Sequence, residues 1–264
     1  MDYRYLLVER HGPVALVTLN RPEKLNALSH DLMREIERLT VEFREDIHTR
    51  VVIFTGAGRH FTAGRDLTDP RPAPVDLDNI LRQQREYDIG PRMIRCLYEM
   101  RQITIAAING AALGGGACIV SALDFRIGAE DCTVGYPEAG LAIPMTWASL
   151  PLCIHLIGPA RAKRMLILAR REKAATLLDW GFLDEVVSRD RLMQRAMEMA
   201  AEYAAIPPIA AQMIKRSVNV NVSALDQAIM HADGDQLILA HTTEDFREAV
   251  TAFFEKRTGN FKGK

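Results

Sequence analysis

The sequence predicts an α/β protein whose C-terminal part is entirely helical. Short apolar segments typical of strands alternate with segments of helical periodicity as far as about residue 190, and only helical patterns follow. A chain of 264 residues can bury most of its apolar surface without disulfides or metals. We therefore expect an α/β core with a helical appendage.

The chain opens with the pattern of a β-hairpin followed by a helix. "YRYLLVER" and "VALVTLN" flank the turn signal His11–Gly12–Pro13. From Ser29 onward, apolar residues recur near helical spacing as far as Phe43, and Ser29 or His30 lies near the expected helix start. The next segment, "RVVIFTGAG", predicts a buried strand that leads into a loop. That loop, from residue 56 to about 75, contains "DPRPAP" and is expected to be exposed.

The middle of the chain predicts further helices and strands. "VDLDNILRQQREYDIGPRMIRCLYEM" is helical in pattern, with a break expected at Gly90–Pro91. "ITIAAINGAAL" predicts a buried strand, "ALDFRIGAEDCTVGYPE" two short strands, "ARAKRMLILARREKAATLLDWG" helices, and "DEVVS" a strand. In the helical tail, an apolar stripe must pack on the core or on another subunit. It consists of Leu239, Phe246, Val250, Phe253 and Phe254.

Composition excludes several classes of function. The 33 basic residues nearly cancel the 34 acidic ones, so no overall field attracts nucleic acid or an anionic membrane. The cysteines have no metal-ligand spacing and predict reduced thiols. They are Cys96, Cys118, Cys132 and Cys153. No apolar run approaches a membrane span, and the N-terminus lacks the apolar core of a signal peptide. We expect a soluble cytoplasmic protein with no metal and no membrane or nucleic-acid partner.

Two junctions between a strand and a loop are rich in glycine: "FTGAGRHFTAGRDL" at 54–67 and "INGAALGGGAC" at 108–118. Glycine lets a ligand approach the backbone closely, and the first N–H groups of a helix are unpaired donors. Two such junctions side by side can aim two N–H groups at one oxygen, which is an oxyanion hole. A phosphate-binding loop is disfavoured because neither stretch has the GxxxxGK[ST] or GxGxxG pattern. Tight packing alone remains the alternative for each stretch.

Five ordered motifs resemble the enoyl-CoA hydratase/isomerase (crotonase) superfamily. They are "RPEKLNALS" at 21–29, "FTAGRDL" at 61–67, "INGAALGGG" at 108–116, "YPEAGLAIP" at 136–144 and "TTEDFREAVTAFFEKR" at 242–257. The resemblance covers nearly the whole chain. It implies a spiral of ββα units over residues 1–195 that binds acyl-CoA, and a helical oligomerisation region over 196–264. It also implies an acyl-CoA thioester as partner, no permanently bound cofactor apart from the coenzyme A of the substrate, and a homotrimer or a dimer of trimers.

The resemblance also implies which residues act. The backbone N–H groups of Arg65 and Gly115 hold the thioester oxygen, and Glu138 is an acid/base. Further positions are expected to contact the substrate or its CoA part: Lys24, Ala27, Ala63, Gly64, Asp66, Leu67, Gly114 and Cys118. The Arg65 side chain either pairs with Asp66, which is the default, or meets the CoA, and Lys24 is either a phosphate ligand or a solvated lysine.

The sequence departs from the family pattern at Cys118. Hydratases of the family carry a second glutamate three residues after the second oxyanion-hole glycine, and here that position is a cysteine. Cys118 is either a nucleophile near a helix start or, as we expect, a small buried thiol. Considered without the family motif, Glu138 would be interpreted as a surface carboxylate. The motif predicts a catalytic role instead, and apolar neighbours should then raise its pKa. One carboxylate can remove and return a proton, so double-bond isomerisation is the expected reaction. Hydration by one glutamate, acyl-CoA hydrolysis and non-catalytic acyl-CoA binding remain alternatives.

Overall fold

A computed structural model describes residues 2–71 and 79–264. The predicted exposed loop lies partly outside these residues, as does the start of the helix predicted from residue 75. Among the described residues, no helix is both long enough and apolar enough to cross a membrane.

The core contains a six-stranded sheet in the order β1-β2-β3-β4-β6-β9. β1 pairs antiparallel with β2, forming the predicted hairpin, and the other neighbours are parallel. Every residue of β3 and β4 is buried, as expected for parallel strands covered on both faces. The six strands are β1 (Leu6–His11), β2 (Val14–Leu19), β3 (Val51–Gly56), β4 (Ile103–Ile108), β6 (Phe125–Ala129) and β9 (Glu185–Val187).

A smaller sheet, in the order β5-β7-β8, forms a second layer. Its strands are β5 (Ala111–Leu113), β7 (Thr133–Gly135) and β8 (Arg171–Lys173). β5 follows β4, and β7 follows β6, so each pass through the large sheet continues into the small one. An isolated parallel bridge from Thr62 to Ala112 brings the segment after β3 alongside β5. This repetition is what places the two glycine-rich junctions next to each other.

The helices include those predicted. Some alternate with the strands, and others form the C-terminal part of the chain. They are α1 (His30–Glu45), α2 (Ile80–Tyr87), α3 (Ile89–Tyr98), α4 (Gly115–Ala122), α5 (Leu150–Ile167), α6 (Ala174–Asp179), α7 (Leu192–Ala204), α8 (Pro208–Val222), α9 (Gln227–Met230), α10 (Asp233–His241) and α11 (Glu244–Glu255). The Ser29 hydroxyl caps α1 by accepting a hydrogen bond from the Leu32 N–H. The expected boundary at residue 195 falls inside α7, and the division into two domains stays a prediction.

Two local predictions need correction. The break expected at Gly90–Pro91 lies at Asp88, because Gly90 and Pro91 occupy the first turn of α3, where a proline displaces no helical hydrogen bond. The segment predicted to be helical at 160–181 contains β8. β8 is a three-residue, largely exposed edge strand, Arg-Glu-Lys, which carries no apolar alternation that could have identified it.

The C-terminal helices pack back onto the core of the same chain. α10 contacts α2, and α11 contacts the 3₁₀ turn Glu138–Leu141. Small residues, Ala249 and Ala252, form the buried face of α11. Phe246 and Val250 of the predicted apolar stripe are half-buried. The other three members stay exposed in the single chain, with exposed fractions of 68% for Leu239, 54% for Phe253 and 64% for Phe254.

Candidate active site

The two glycine-rich junctions meet at Gly64 and Gly115. Gly64 has a positive φ of 91°, and a Cβ added there would lie 2.5 Å from the Leu113 carbonyl oxygen and 3.5 Å from the Gly115 nitrogen. Only glycine fits this close approach. Gly115 is the first residue of α4, and Gly114, with a φ of 51°, is its N-cap. The two loops therefore come together as a packed unit.

The backbone N–H groups of Arg65 and Gly115 take no part in the hydrogen bonds that the described residues form around them. In the bridge between Leu28 and Arg65, the hydrogen bonds run from the Leu28 N–H to Gly64 and from the Asp66 N–H to Leu28, which bypasses the Arg65 N–H. The Gly115 N–H is one of the first donors of a helix. Within residues 2–71 and 79–264, neither group meets an acceptor. Two free donors on adjacent backbones are the requirement of an oxyanion hole.

Glu138 lies beside these donors. It opens a 3₁₀ turn that follows β7, and a Cβ on Gly114 would lie 3.3 Å from its Oε1. Its Oε2 is enclosed and finds no hydrogen-bond partner among the described residues. Burial raises the pKa of Glu138 to about 7. A carboxylate that is half ionised near neutral pH can accept and return a proton there.

Cys118 occupies a closed, apolar position one turn into α4. It is 2% exposed, and its Sγ lies 3.2 Å from the Ser149 hydroxyl. Burial, reinforced by the nearby Glu138 carboxyl, raises the pKa of the Cys118 thiol well above its usual range. A thiol held in its protonated form is a poor nucleophile. This geometry favours the buried-thiol interpretation over the nucleophile.

Most of the residues expected to contact CoA lie on two loops that are joined by a hydrogen bond. The Ala63 N–H donates to the Leu25 carbonyl and the Ala27 N–H to the Lys24 carbonyl, which ties the loop 24–27 to the loop 62–67. Lys24, Ala63 and Leu67 are exposed, while Ala27, Gly64 and Asp66 are buried. Whether these residues bind CoA stays a prediction.

The default pairing of Arg65 with Asp66 is not what the structure contains. Asp66 pairs with Arg21 at 3.0 Å, and although burial opposes its ionisation, hydrogen bonds from Thr68 and Arg21 keep the pKa of Asp66 below its usual range. The Arg65 guanidinium donates to the Arg71 carbonyl and approaches the Met33 sulfur. Consecutive side chains of an extended segment point in opposite directions, which separates Arg65 from Asp66.

Two site features had no motif to reveal them. The Trp147 ring packs against Gly115, where a Cβ would lie 2.3 Å from its Cζ3. Asp233, at the start of α10, accepts a hydrogen bond of 2.6 Å from the Ala148 N–H. Both depend on contacts between segments far apart in the chain, and neither residue stands in a recognisable pattern.

Comparisons with known proteins identify the family of the chain. The model of the enoyl-CoA hydratase/isomerase family matches residues 9–264. The chain is 32% identical to the short-chain-enoyl-CoA hydratase of Clostridium acetobutylicum over 258 residues, 97% of each chain. It is 31% identical to the 1,2-epoxyphenylacetyl-CoA isomerase of Escherichia coli over 266 residues, 98% of this chain and 99% of the other.

Solved structures show the same fold. An enoyl-CoA hydratase/isomerase from Pseudoalteromonas atlantica superposes with a TM-score of 0.86 at 26% identity, covering 98% of this chain and 100% of the other. A monofunctional enoyl-CoA isomerase from M. smegmatis superposes with a TM-score of 0.71 at 30% identity, covering 84% and 95%. Both relatives and structures thus include hydratases and isomerases. The chain belongs to the enoyl-CoA hydratase/isomerase family.

Proposed function

We propose that this protein moves the double bond of an enoyl-CoA thioester, using Glu138 as its single acid/base. The observation that carries this proposal is the Glu138 carboxyl, which stands beside the paired N–H donors with one oxygen enclosed and unpaired. The position of the second hydratase acid is filled by the Cys118 thiol, which is engaged with Ser149.

The proposed reaction needs one carboxylate and no net loss or gain of atoms. The thioester oxygen accepts hydrogen bonds from the N–H groups of Arg65 and Gly115, which stabilise the negative charge that develops there. The Glu138 carboxylate takes a proton from carbon 2 of a 3-enoyl thioester, and the electron pair spreads over the dienolate. The same carboxyl returns its proton to carbon 4, which leaves the double bond between carbons 2 and 3 and restores the ionised base.

Hydration is the second candidate, and the names of the relatives favour it. Several related proteins, including the one from Clostridium acetobutylicum, are named hydratases. With one carboxyl, Glu138 would have to activate the water and also deliver the proton, tasks that the family's hydratases divide between two glutamates. The fold accommodates either reaction, so the site must decide between them.

Product analysis by liquid chromatography coupled to mass spectrometry separates the candidates, because chromatography resolves the 2-hexenoyl and 3-hexenoyl isomers that share one mass. The protein is incubated with a 3-hexenoyl thioester and, separately, with a 2-hexenoyl thioester of coenzyme A. Isomerisation converts the first into the second without a change of mass, whereas hydration adds the mass of one water. We expect conversion without added mass as the faster reaction. Faster water addition would establish hydration, and release of free CoA would indicate hydrolysis.

The proposal extends to an oligomer. α8 carries apolar side chains that remain exposed in the single chain: Ile209, Met213, Ile214, Val218, Val220 and Val222. Large apolar side chains left exposed along a whole helix are typical of surfaces that pack against another protein. Together with the exposed stripe near the C-terminus, it supports self-association of this chain into the expected trimer.

A further inference from the structure

Trp147 closes the space between α3 and α4 directly beside the proposed oxyanion hole. A Cβ on Gly115 would lie 2.3 Å from the Trp147 Cζ3, and a Cβ on Gly90 would lie 2.2 Å from its Cε2. Real Cβ atoms never approach so closely, so both positions must be glycine while the indole is there. The ring is therefore held flat between the backbones of two helices.

The backbone that presents this ring is in an uncommon conformation. Trp147 has a φ of 61° and Ala148 a φ of 55°, both in the left-handed region that non-glycine residues rarely adopt. Such a conformation is unfavourable for a residue with a side chain and persists only where its surroundings fix it. Two consecutive residues of this kind, the first packed against Gly115, point to a role in the site.

Buried polar contacts fix the turn from both sides. The Ala148 N–H donates to the Asp233 carboxylate at 2.6 Å, and Asp233 is only 6% exposed. The Ser149 hydroxyl donates to the Thr146 carbonyl at 2.7 Å and accepts from the Cys118 thiol at 3.2 Å. The thiol that replaces a carboxylate thus supports the turn that carries Trp147.

We infer that Trp147 is the specificity-determining wall of the acyl pocket and restricts the enzyme to short acyl chains. This inference rests on the proposed function, because it places the thioester oxygen at the Gly115 N–H. The residue that donates to this oxygen is the one against which the indole packs, so the ring borders the proposed oxyanion hole. A long acyl chain therefore cannot continue between α3 and α4, where the ring lies, and a short chain needs no such path.

The kinetic test compares hexenoyl and decenoyl thioesters of coenzyme A in the wild type and in the Trp147→Phe and Trp147→Ala variants. The chain has one other tryptophan, Trp180, which lies in the core, so Trp180→Phe is the matched control. We expect the wild type and the control to favour the hexenoyl substrate in kcat/KM, and Trp147→Ala to shift the ratio by about tenfold toward the decenoyl substrate. An unchanged ratio in a folded Trp147→Ala variant would overturn the inference.

A binding measurement keeps the test independent of turnover and of the folding of the alanine variant. In Trp180→Phe, Trp147 is the only source of tryptophan fluorescence, and in Trp147→Phe only Trp180 remains. Saturated hexanoyl-CoA should change the emission of the first variant and leave that of the second unchanged. If the emission of both variants changes equally, or if only that of Trp180 changes, the inference that Trp147 lines the acyl pocket is contradicted. A response from Trp147 in a protein that converts no enoyl thioester would instead reject the proposed function and retain the pocket.

Discussion

At the scale of single residues, the proposed site depends on the carboxyl group of Glu138, whose ionisation burial makes unfavourable. Glu138 is half-buried, and its Oε2 is enclosed without a hydrogen-bond partner among the described residues. Because an ionised carboxylate prefers water, burial raises its pKa to about 7. The same burial that makes Glu138 a suitable base near neutral pH also destabilises the folded protein above that pH.

The raised pKa predicts the dependence of activity on pH. The base must be ionised to take a proton, so kcat/KM for a 3-enoyl thioester should fall about tenfold per pH unit below pH 7 and level off above it. Initial rates between pH 5 and 9 measure this profile. A profile that is already flat down to pH 5 would show that the base has an unperturbed pKa, contrary to the observed burial.

The same shift predicts an effect on stability. The folded state binds the Glu138 proton more tightly than the unfolded state, whose pKa is near 4.5, so stability is lost as pH rises from about 4.5 to about 7. Glu138→Gln removes the ionisation and should raise the unfolding free energy at pH 8 by at most about 3 kcal/mol. The gain should disappear near pH 4.5. Urea unfolding of both proteins at the two pH values measures it, with exposed Glu23→Gln as control.

Cys118 offers a second residue-scale prediction. Cys118→Glu places a second carboxyl next to Glu138 in a position that is 2% exposed. Two neighbouring carboxyl groups cannot both ionise easily, so the apparent pKa of the pH–rate profile should rise and water addition should become measurable. Cys118→Ser, which retains a donor toward Ser149, should do neither. A Cys118→Glu variant that folds and shows the wild-type profile would contradict the assigned position.

At the scale of elements, α10 supports the turn that carries Trp147. The Asp233 carboxylate at the start of α10 accepts a hydrogen bond from the Ala148 N–H. Burial raises the pKa of Asp233 to about 6. Arg95 on α3 and His231 just before α10 lie near enough to this carboxyl to oppose the rise of its pKa. The C-terminal helices thus contribute to the shape of the site of their own chain.

This contact predicts a graded effect. Asp233→Ala removes the acceptor and should shift substrate preference toward the decenoyl thioester, in the same direction as Trp147→Ala but by less, about threefold. Asp233→Asn keeps an acceptor oxygen and should retain the wild-type ratio. Ratios of kcat/KM for the two chain lengths provide the measurement. If both variants lose activity equally for both substrates, Asp233 has only a structural role.

At the scale of the whole molecule, the apolar surface of α8 predicts an assembly. Light scattering after gel filtration should give a mass of three or six times the 29.5 kDa of the chain. Met213 on α8 is 65% exposed, and Met213→Glu should lower that mass. Ile47, just after α1, is 86% exposed, and Ile47→Glu should leave the mass unchanged. A wild-type protein that is a monomer would contradict the proposal that the α8 surface mediates self-association.

The sequence predicted the fold well where local pattern and burial coincide. The hairpin, α1 with its Ser29 cap, and the buried strands β3 and β4 carry their signal in periodicity and composition. β8 was not predicted because it is a short polar edge strand. The helix break was predicted two residues too late because proline is tolerated in a first helical turn.

The candidate site was predictable only through its motifs. Glycines and Glu138 stand in recognisable order, but contacts such as Ala148 with Asp233, or Trp147 with Gly90, join segments more than fifty residues apart. No local rule specifies them, because a side chain's neighbours across the fold are set by tertiary packing. The same reason accounts for the wrong pairing of Arg65 with Asp66, since Arg21 reaches Asp66 from a distant loop.

The central claim is that one carboxyl group, Glu138, moves the proton. The most direct test is the kcat of Glu138→Gln on a 3-hexenoyl thioester, measured alongside calorimetric binding of saturated hexanoyl-CoA. We predict a loss of about a thousandfold in kcat with binding within about threefold of the wild type, because the amide fills the same space and cannot accept the proton. A variant that binds normally and retains kcat within about tenfold of the wild type would contradict the claim.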